Sequence, residues 1–145
     1  MNIACIGIIP HVDRYIGIKC AKGRGHIMPG GKYDPSQDRT YHDCARREIW
    51  EETGITCNKM KYVWHAPDFG DYTTFAFLVT EYSGTVKQET KEGQVCAIPV
   101  EILMQSSFAA YYKILFEILT IRSTGYTLSN KVIGYEDLKD TPFIG

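Results

Sequence analysis

The chain has 145 residues, 44% of them hydrophobic, with 16 basic and 17 acidic side chains and a net charge of -1. That length predicts one domain with a sizeable core, and near-neutrality without a basic block excludes broad electrostatic binding to nucleic acid. No apolar run reaches the ~18 residues of a membrane span and no charged n-region leads an apolar core, so a soluble, cytoplasmic protein is expected.

Asn2 to Pro10 is a β-rich apolar run and reads as a central strand. Tyr15 to Cys20 reads as a second, and the short His11-Val12-Asp13-Arg14 connection predicts a hairpin between them. Ala21 to His26 is a Lys/Arg/Gly loop. Strands are expected at Lys59 to His65 and Thr73 to Tyr82, with Ser83-Gly84 as a turn. Glu89 to Gln94 reads as an acidic loop before a short strand, Val95 to Ile98. Pro99 suits the start of a short helix through about Met104, and Phe108 to Arg122 reads as an apolar helix packed on the sheet. Ser123 to Gly145 is polar and fits a strand pair, a partner surface or a flap equally well. Five cysteines occur without any Cys-x-x-Cys pair, which predicts reduced thiols rather than disulfides or zinc. Strands with a middle and a late helix make a mixed α/β layered domain.

The densest chemistry lies between Gly30 and Ile55. Thr40 is a good N-cap with Asp43 three residues on. No Gly or Pro interrupts Tyr41 to Thr53, and Gly54 stands where a helix stops. On a helix from about residue 41 to 53, Glu48, Glu51 and Glu52 fall within an arc of about 100°. Tyr41, Ala45 and Ile49 form an adjoining apolar stripe. A helix surface normally offsets crowded carboxylates with Lys or Arg at neighbouring positions; here the nearest cation, Arg47, is one residue away. Such a cluster of hard oxygens suits Mg²⁺ or Mn²⁺. The plainer reading is a solvated acidic face. Pro29-Gly30-Gly31 speaks for the metal reading, because glycine lets the backbone approach whatever the helix binds, and it turns the balance only together with the block from Arg47 to Ile55.

The run Arg47-Glu48-Ile49-Trp50-Glu51-Glu52-Thr53-Gly54-Ile55 resembles the end of the Nudix box, the signature of the Nudix hydrolases. The family pattern is Gly, five residues, Glu, seven residues, then Arg-Glu-U-X-Glu-Glu-X-Gly-U, with U bulky and aliphatic. The last block is matched at every fixed position; the front is not. The family's first glutamate falls on Arg39 and its glycine on Tyr33. With Gly31 as the glycine, the loop is two residues longer. The lost glutamate usually pairs with the box arginine; Asp38 or Asp43 could replace it, and Asp43 stands four residues before Arg47.

The resemblance implies a Nudix-type α/β/α sandwich around a mixed β-sheet, loosely over residues 1 to about 122, with 123–145 as a C-terminal extension of one domain. It implies a Mg²⁺-dependent (or Mn²⁺-dependent) pyrophosphohydrolase cleaving a nucleoside diphosphate linked to another moiety: a dinucleoside polyphosphate, a nucleoside triphosphate or a nucleotide sugar. By position, Glu48 and Glu52 are the direct metal ligands and Glu51 completes the shell. One of these carboxylates is the candidate base. Gly30 offers its carbonyl to the metal, and Arg47 orients the glutamates. A further glutamate from a later loop is expected, Glu92 first and Glu89 second. Gly31 and Tyr72 are the expected substrate contacts. Tyr72, 17 residues past Ile55, resembles the tyrosine of dinucleoside polyphosphate hydrolases, whereas Gly70 and Asp71 stand where ADP-ribose hydrolases favour proline. Tyr15, Trp64 and Phe69 could also stack on a base, with core packing as their default. The competing reading is a catalytically weak or inactive Nudix-fold nucleotide-binding module, motivated by Arg39. RNA cap removal would call for a basic surface that the composition lacks. Homodimers are common in the family; the sequence leaves the oligomeric state open.

Overall fold

In the computed structural model, residues 2–67, 71–122 and 129–130 are described. The first strand, β1 (Asn2–Ile8), is apolar on both faces. Ile3 and Cys5 enter one core, while Ile6 and Ile8 enter another. Such a strand is satisfied only in the middle of a sheet. It lies between β5 (Gly30–Lys32), antiparallel, and β7 (Tyr72–Gly84), parallel. β6 (Ile55–Pro67) runs antiparallel along the far side of β7, and β10 (Ser129–Asn130) lies parallel to Glu81-Tyr82. The first sheet is therefore mixed.

Ile8 and Ile9 are consecutive and both fully buried, one in each core. The alternation of β1 thus carries on through Ile9, and the chain leaves the first sheet after it. β2 (Pro10–His11) then turns back onto β3 (Arg14–Cys20), Pro10 opposite Tyr15 and His11 opposite Arg14. The expected hairpin thus exists only at its tip: Asn2–Ile8 does not pair with Tyr15–Cys20, because both of its edges are taken by β5 and β7. The second sheet is antiparallel, built from β2, β3, β4 (His26–Ile27), β8 (Glu89–Thr90) and β9 (Gly93–Ile98).

Three further expectations shift at their boundaries. β6 and β7 are longer than read from sequence, and Ser83-Gly84 is the end of a strand, not a turn, since Gly84 pairs with Ile55. Register shifts between Cys57 and Lys59, Lys59 and Met60, and Tyr62 and Trp64 blur the period-2 pattern there. Gly30–Lys32 is strand rather than loop, and Glu89 to Gln94 is a small hairpin, Glu89 opposite Gln94.

The helices sit where they were expected. α1 (Tyr41–Thr53) begins at Thr40, whose Oγ1 accepts the Asp43 N–H at 3.1 Å, and ends at Gly54 in the left-handed region, φ 83°. The reciprocal half of a capping box is replaced by an ion pair from Asp43 to Arg46 at 3.3 Å. α2 (Val100–Leu103) follows Pro99, and α3 is Ala109–Arg122. Cys44, Ala45 and Ile49 dock α1 on one core, and Tyr111, Tyr112, Leu115 and Leu119 dock α3 on the other. Each fully buried Ile or Leu of this kind contributes roughly 1.5–3 kcal/mol. One helix thus covers each face of the first sheet. All five cysteines are free thiols. No helix among the described residues is long and apolar enough to cross a membrane. Phe69 and, apart from the β10 backbone, the 123–145 extension lie outside the described residues.

Candidate active site

The loop ahead of α1 is built to deliver one carboxylate. Asp34 accepts from the Ser36 N–H (3.0 Å), the Ser36 hydroxyl (2.7 Å) and the Gln37 amide (2.7 Å), and these bonds lower its pKa to about 2. The turn closes with Asp38 N–H on the Asp34 carbonyl at 2.8 Å. Asp38, its side chain 1% exposed, then meets Arg47 in a two-point fork, Nε at 2.8 Å and Nη2 at 2.9 Å. The Arg47 guanidinium beside Asp38 holds its carboxyl below the usual range. Arg47 also reaches Glu48 at 2.9 Å, Glu51 at 3.4 Å and the Lys32 carbonyl at 3.1 Å. Its Nε, Nη1 and Nη2 thus all donate to groups of the protein, Asp38 and the two glutamates among them. The open choice between Asp38 and Asp43 falls to Asp38.

Glu48 and Glu52 are one turn apart and face β5. A Cβ on Gly31 would land on the Glu48 carboxylate, so a side chain there would push that carboxylate out of its place against the strand. Gly30 N–H donates to Glu52 Oε2 at 3.3 Å. Tyr112, deep in the α3 core, steadies this stretch by accepting the Met28 N–H at 2.9 Å. Across a groove of about 530 Å³, Glu89 and Glu92 face Glu48, Glu51 and Glu52. Glu92 is held by Arg24 at 3.0 Å. Burial pushes Glu52 up to about 8, opposed by the Gly30 N–H and reinforced by Glu48 and Glu92. Burial also raises Glu48, against the pull of Arg47. Two carboxylates are thus held in a place that disfavours their charge.

Gly30, Gly31, Arg47, Glu48, Glu51, Glu52, Glu92 and the second-choice Glu89 all come together. Tyr72 stands apart at the start of β7, with the Lys32 ammonium 5.5 Å from its ring centroid. Tyr15 and Trp64 pack against the α3 core, as their default reading had it. Arg24 and Tyr112 were missed. Arg24 carried no signal beyond a basic, glycine-containing loop, and Tyr112 no signal beyond a hydrophobic helix. The donor set is all oxygen and anionic, which fits a hard divalent cation. No three such groups close into a metal-holding cluster among the described residues; Glu48 and Glu51 are drawn to Arg47 instead.

The family model described as NUDIX domain matches residues 11–116. The chain belongs to the Nudix hydrolase family. It is a hydrolase of phosphorus-containing anhydrides. Its fold is similar to that of the MutT protein from Bacillus halodurans, with a TM-score of 0.67 and 20% identity over 90% of this chain and 87% of the other. The E. coli ORF135 protein aligns at TM-score 0.68 and 19% identity, over 86% and 94% of the two chains. The Nudix domain of Shewanella oneidensis NrtR, in complex with ADP ribose, aligns at 0.64 and 14%, over 84% and 86%. At these identities the likeness is one of fold. No curated protein sequence matches the chain.

Proposed function

We propose that this Nudix chain is a Mg²⁺- or Mn²⁺-dependent pyrophosphohydrolase acting on a nucleoside diphosphate linked to a further group. The observation that carries the reading is the approach of Glu48 and Glu52 to the Gly30-Gly31 strand with Glu92 across the same groove, burial raising Glu52 to about 8. Glu48, Glu52, Glu51 and the Gly30 carbonyl would hold the metal. A divalent ion there supplies charge neutralisation on the phosphate oxygens. Arg47, anchored by Asp38, keeps the Glu48 and Glu51 carboxylates beside the strand, from where they would turn to take the metal. Glu92, across the same groove, would join the metal shell, and one of Glu48, Glu51 and Glu52 would take the proton of an attacking water.

Beside Gly30 and Gly31 runs a cleft of about 130 Å³, lined by Ile6, Met28, Thr74, Phe108, Tyr111 and Arg24. That is well below the ~300–1,000 Å³ of a whole-ligand pocket. It suits a single base, with the phosphates passing over the glycines toward the carboxylates. Arg24 lines this cleft and pairs with Glu92, so it stands at the junction of the two. Dinucleoside polyphosphates, nucleoside triphosphates and nucleotide sugars are the substrate classes; one similar fold is that of an ADP compounds hydrolase. The alternative, an inactive nucleotide-binding module, rested on Arg39, and Asp38 makes the ion pair that Arg39 lacks.

The test is phosphate release, with and without a coupled phosphatase, from nucleoside triphosphates, ADP-ribose, NADH and dinucleoside polyphosphates under Mg²⁺ and Mn²⁺. Metal-dependent turnover by the wild type and its loss in Glu52→Gln is the expected result. Tight binding of one compound, without turnover and unchanged in Glu52→Gln, would favour the binding module.

A further inference from the structure

The N-terminal end of α1 borders a second concavity, away from the carboxylates. It is an open groove of about 680 Å³ on the α1 face of the first sheet. β7 contributes Phe75 and Phe77, the edge strand β6 contributes Tyr62 and His65, and Tyr33 and Tyr41 close the end near the helix start. The His65 ring stacks on Phe75 at 4.4 Å and 14°, and Tyr41 meets the same ring at 4.5 Å. Tyr62 is 44% exposed, 6.1 Å from both Phe75 and Phe77. Side chains alternate along a strand, so this face lies opposite the one that carries Thr74 to the base-sized cleft. The groove and the cleft are separated by the sheet itself.

Phe77 is buried and Tyr33, Tyr41 and Phe75 are half-buried against the core, so the ring surface left for a ligand is that of the exposed Tyr62 and His65. The charges narrow the ligand. Arg39 and His42 line the groove, and no carboxylate among the described residues does. Arg39 is exposed and enters no ion pair among the described residues. The lengthened front loop explains its direction: the turn that sends Asp38 inward to Arg47 leaves the next residue facing out. A proline-rich peptide would use the rings alone. An aromatic anion uses the rings, the guanidinium and the first turn of a helix together. The volume lies within the ~300–1,000 Å³ of small-ligand pockets.

We propose that this groove is a second nucleotide site, separate from the active site, which takes the base of a mononucleotide on Tyr62 and His65 and its phosphate on Arg39 and His42. It does not rest on the pyrophosphohydrolase reading. AMP titrated into the protein in EDTA, followed by amide and aromatic NMR shifts, tests it residue by residue. Saturable shifts are expected at Tyr62, His65, Phe75 and Arg39. Removing one stacking partner with Tyr62→Ala weakens AMP and adenosine alike, by about tenfold or more. Arg39→Ala weakens AMP roughly fivefold and leaves adenosine unchanged. Both side chains are exposed, so these variants keep the fold; His65→Ala repeats the stacking test if Tyr62→Ala lowers the melting temperature. Shifts confined to the Met28–Gly31 cleft overturn the proposal. So does unchanged AMP affinity in Tyr62→Ala, or equal displacement of AMP by inorganic phosphate alone. Binding of a ten-nucleotide single strand where AMP gives no shift overturns it in favour of a nucleic acid strand.

Discussion

Arg46 and Arg47 are neighbours in sequence, and each is paired with an aspartate, yet the two pairs stand in different solvents. Arg46 lies on the outer side of α1, 3.3 Å from Asp43, with the two side chains 42% and 40% exposed. Arg47 turns under the front loop to Asp38, with exposures of 19% and 1%. In water such a pair is worth little. Out of water, removing one partner strands the other's charge. Close by is a third arrangement, in which Glu48 and Glu52 sit half-buried with their like charges facing β5. What each charge does therefore follows from its burial and its neighbours together, not from its place in the motif. The predictions below perturb these three sets in turn, with the Thr40 cap of the same helix beside the last.

The largest effect is expected in the like-charged set. Glu52→Gln should lower kcat by about 10²–10⁴ in a phosphate-release assay. The same substitution should change stability in the opposite direction. Glu52 titrates near 8 in the folded chain against the ordinary 4.5. Between those values the folded state keeps a proton that the unfolded state has released, so its contribution is full below about pH 4.5 and is lost as pH rises through 8. In EDTA, Glu52→Gln should flatten that decline and melt higher than wild type at pH 8.5. For the wild type, added Mg²⁺ should raise the melting temperature more at pH 8.5 than at pH 5, because protons compete for the same oxygens. A Mg²⁺ shift that is equal at the two pH values would separate Glu52 from the metal.

The buried opposite-charge pair comes next. Asp38→Ala leaves Arg47 with its neighbouring glutamates but without its fork, and should cost about 3 kcal/mol in urea unfolding. The variant should also lose turnover, since Arg47 no longer holds Glu48 in place. If Asp38→Ala unfolds no more easily than wild type, the fork adds no stability and the loop geometry alone orients the helix.

Much of this was legible in the sequence. The helix bounds followed from Thr40 and Gly54, because caps are local chemistry. The carboxylate cluster followed from helical spacing, and the approach of β5 from two glycines. Asp38 was not decided by sequence. Helical spacing favoured Asp43, and only the folded turn around Asp34 shows that Asp38 points inward. Asn2–Pro10 was legible as a central strand, but its hairpin with Tyr15–Cys20 holds only at Pro10 and Tyr15, because the long-range partners β5 and β7 take both edges of Asn2–Ile8. Arg24 and Glu92 are 68 positions apart, and nothing local announces that contact.

The smallest effects lie at the start of α1 and decide whether solvent is the right variable. Thr40→Ala removes the acceptor for the Asp43 N–H and should cost about 1 kcal/mol. Asp43→Ala removes an exposed partner of Arg46 and one favourable charge from the first turn, which together come to about 0.5 kcal/mol or less in this setting. A double-mutant cycle with Arg46→Ala isolates the ion pair from the helix-dipole contribution, since Arg46 also bonds the Cys57 carbonyl at 3.0 Å through Nε. A coupling energy below about 0.5 kcal/mol leaves the contrast with Asp38 intact. A coupling as large as the Asp38 effect would mean that contact geometry, rather than exposure, sets the strength of both pairs. The ordering of the Asp38 and Asp43 effects would then lose its basis.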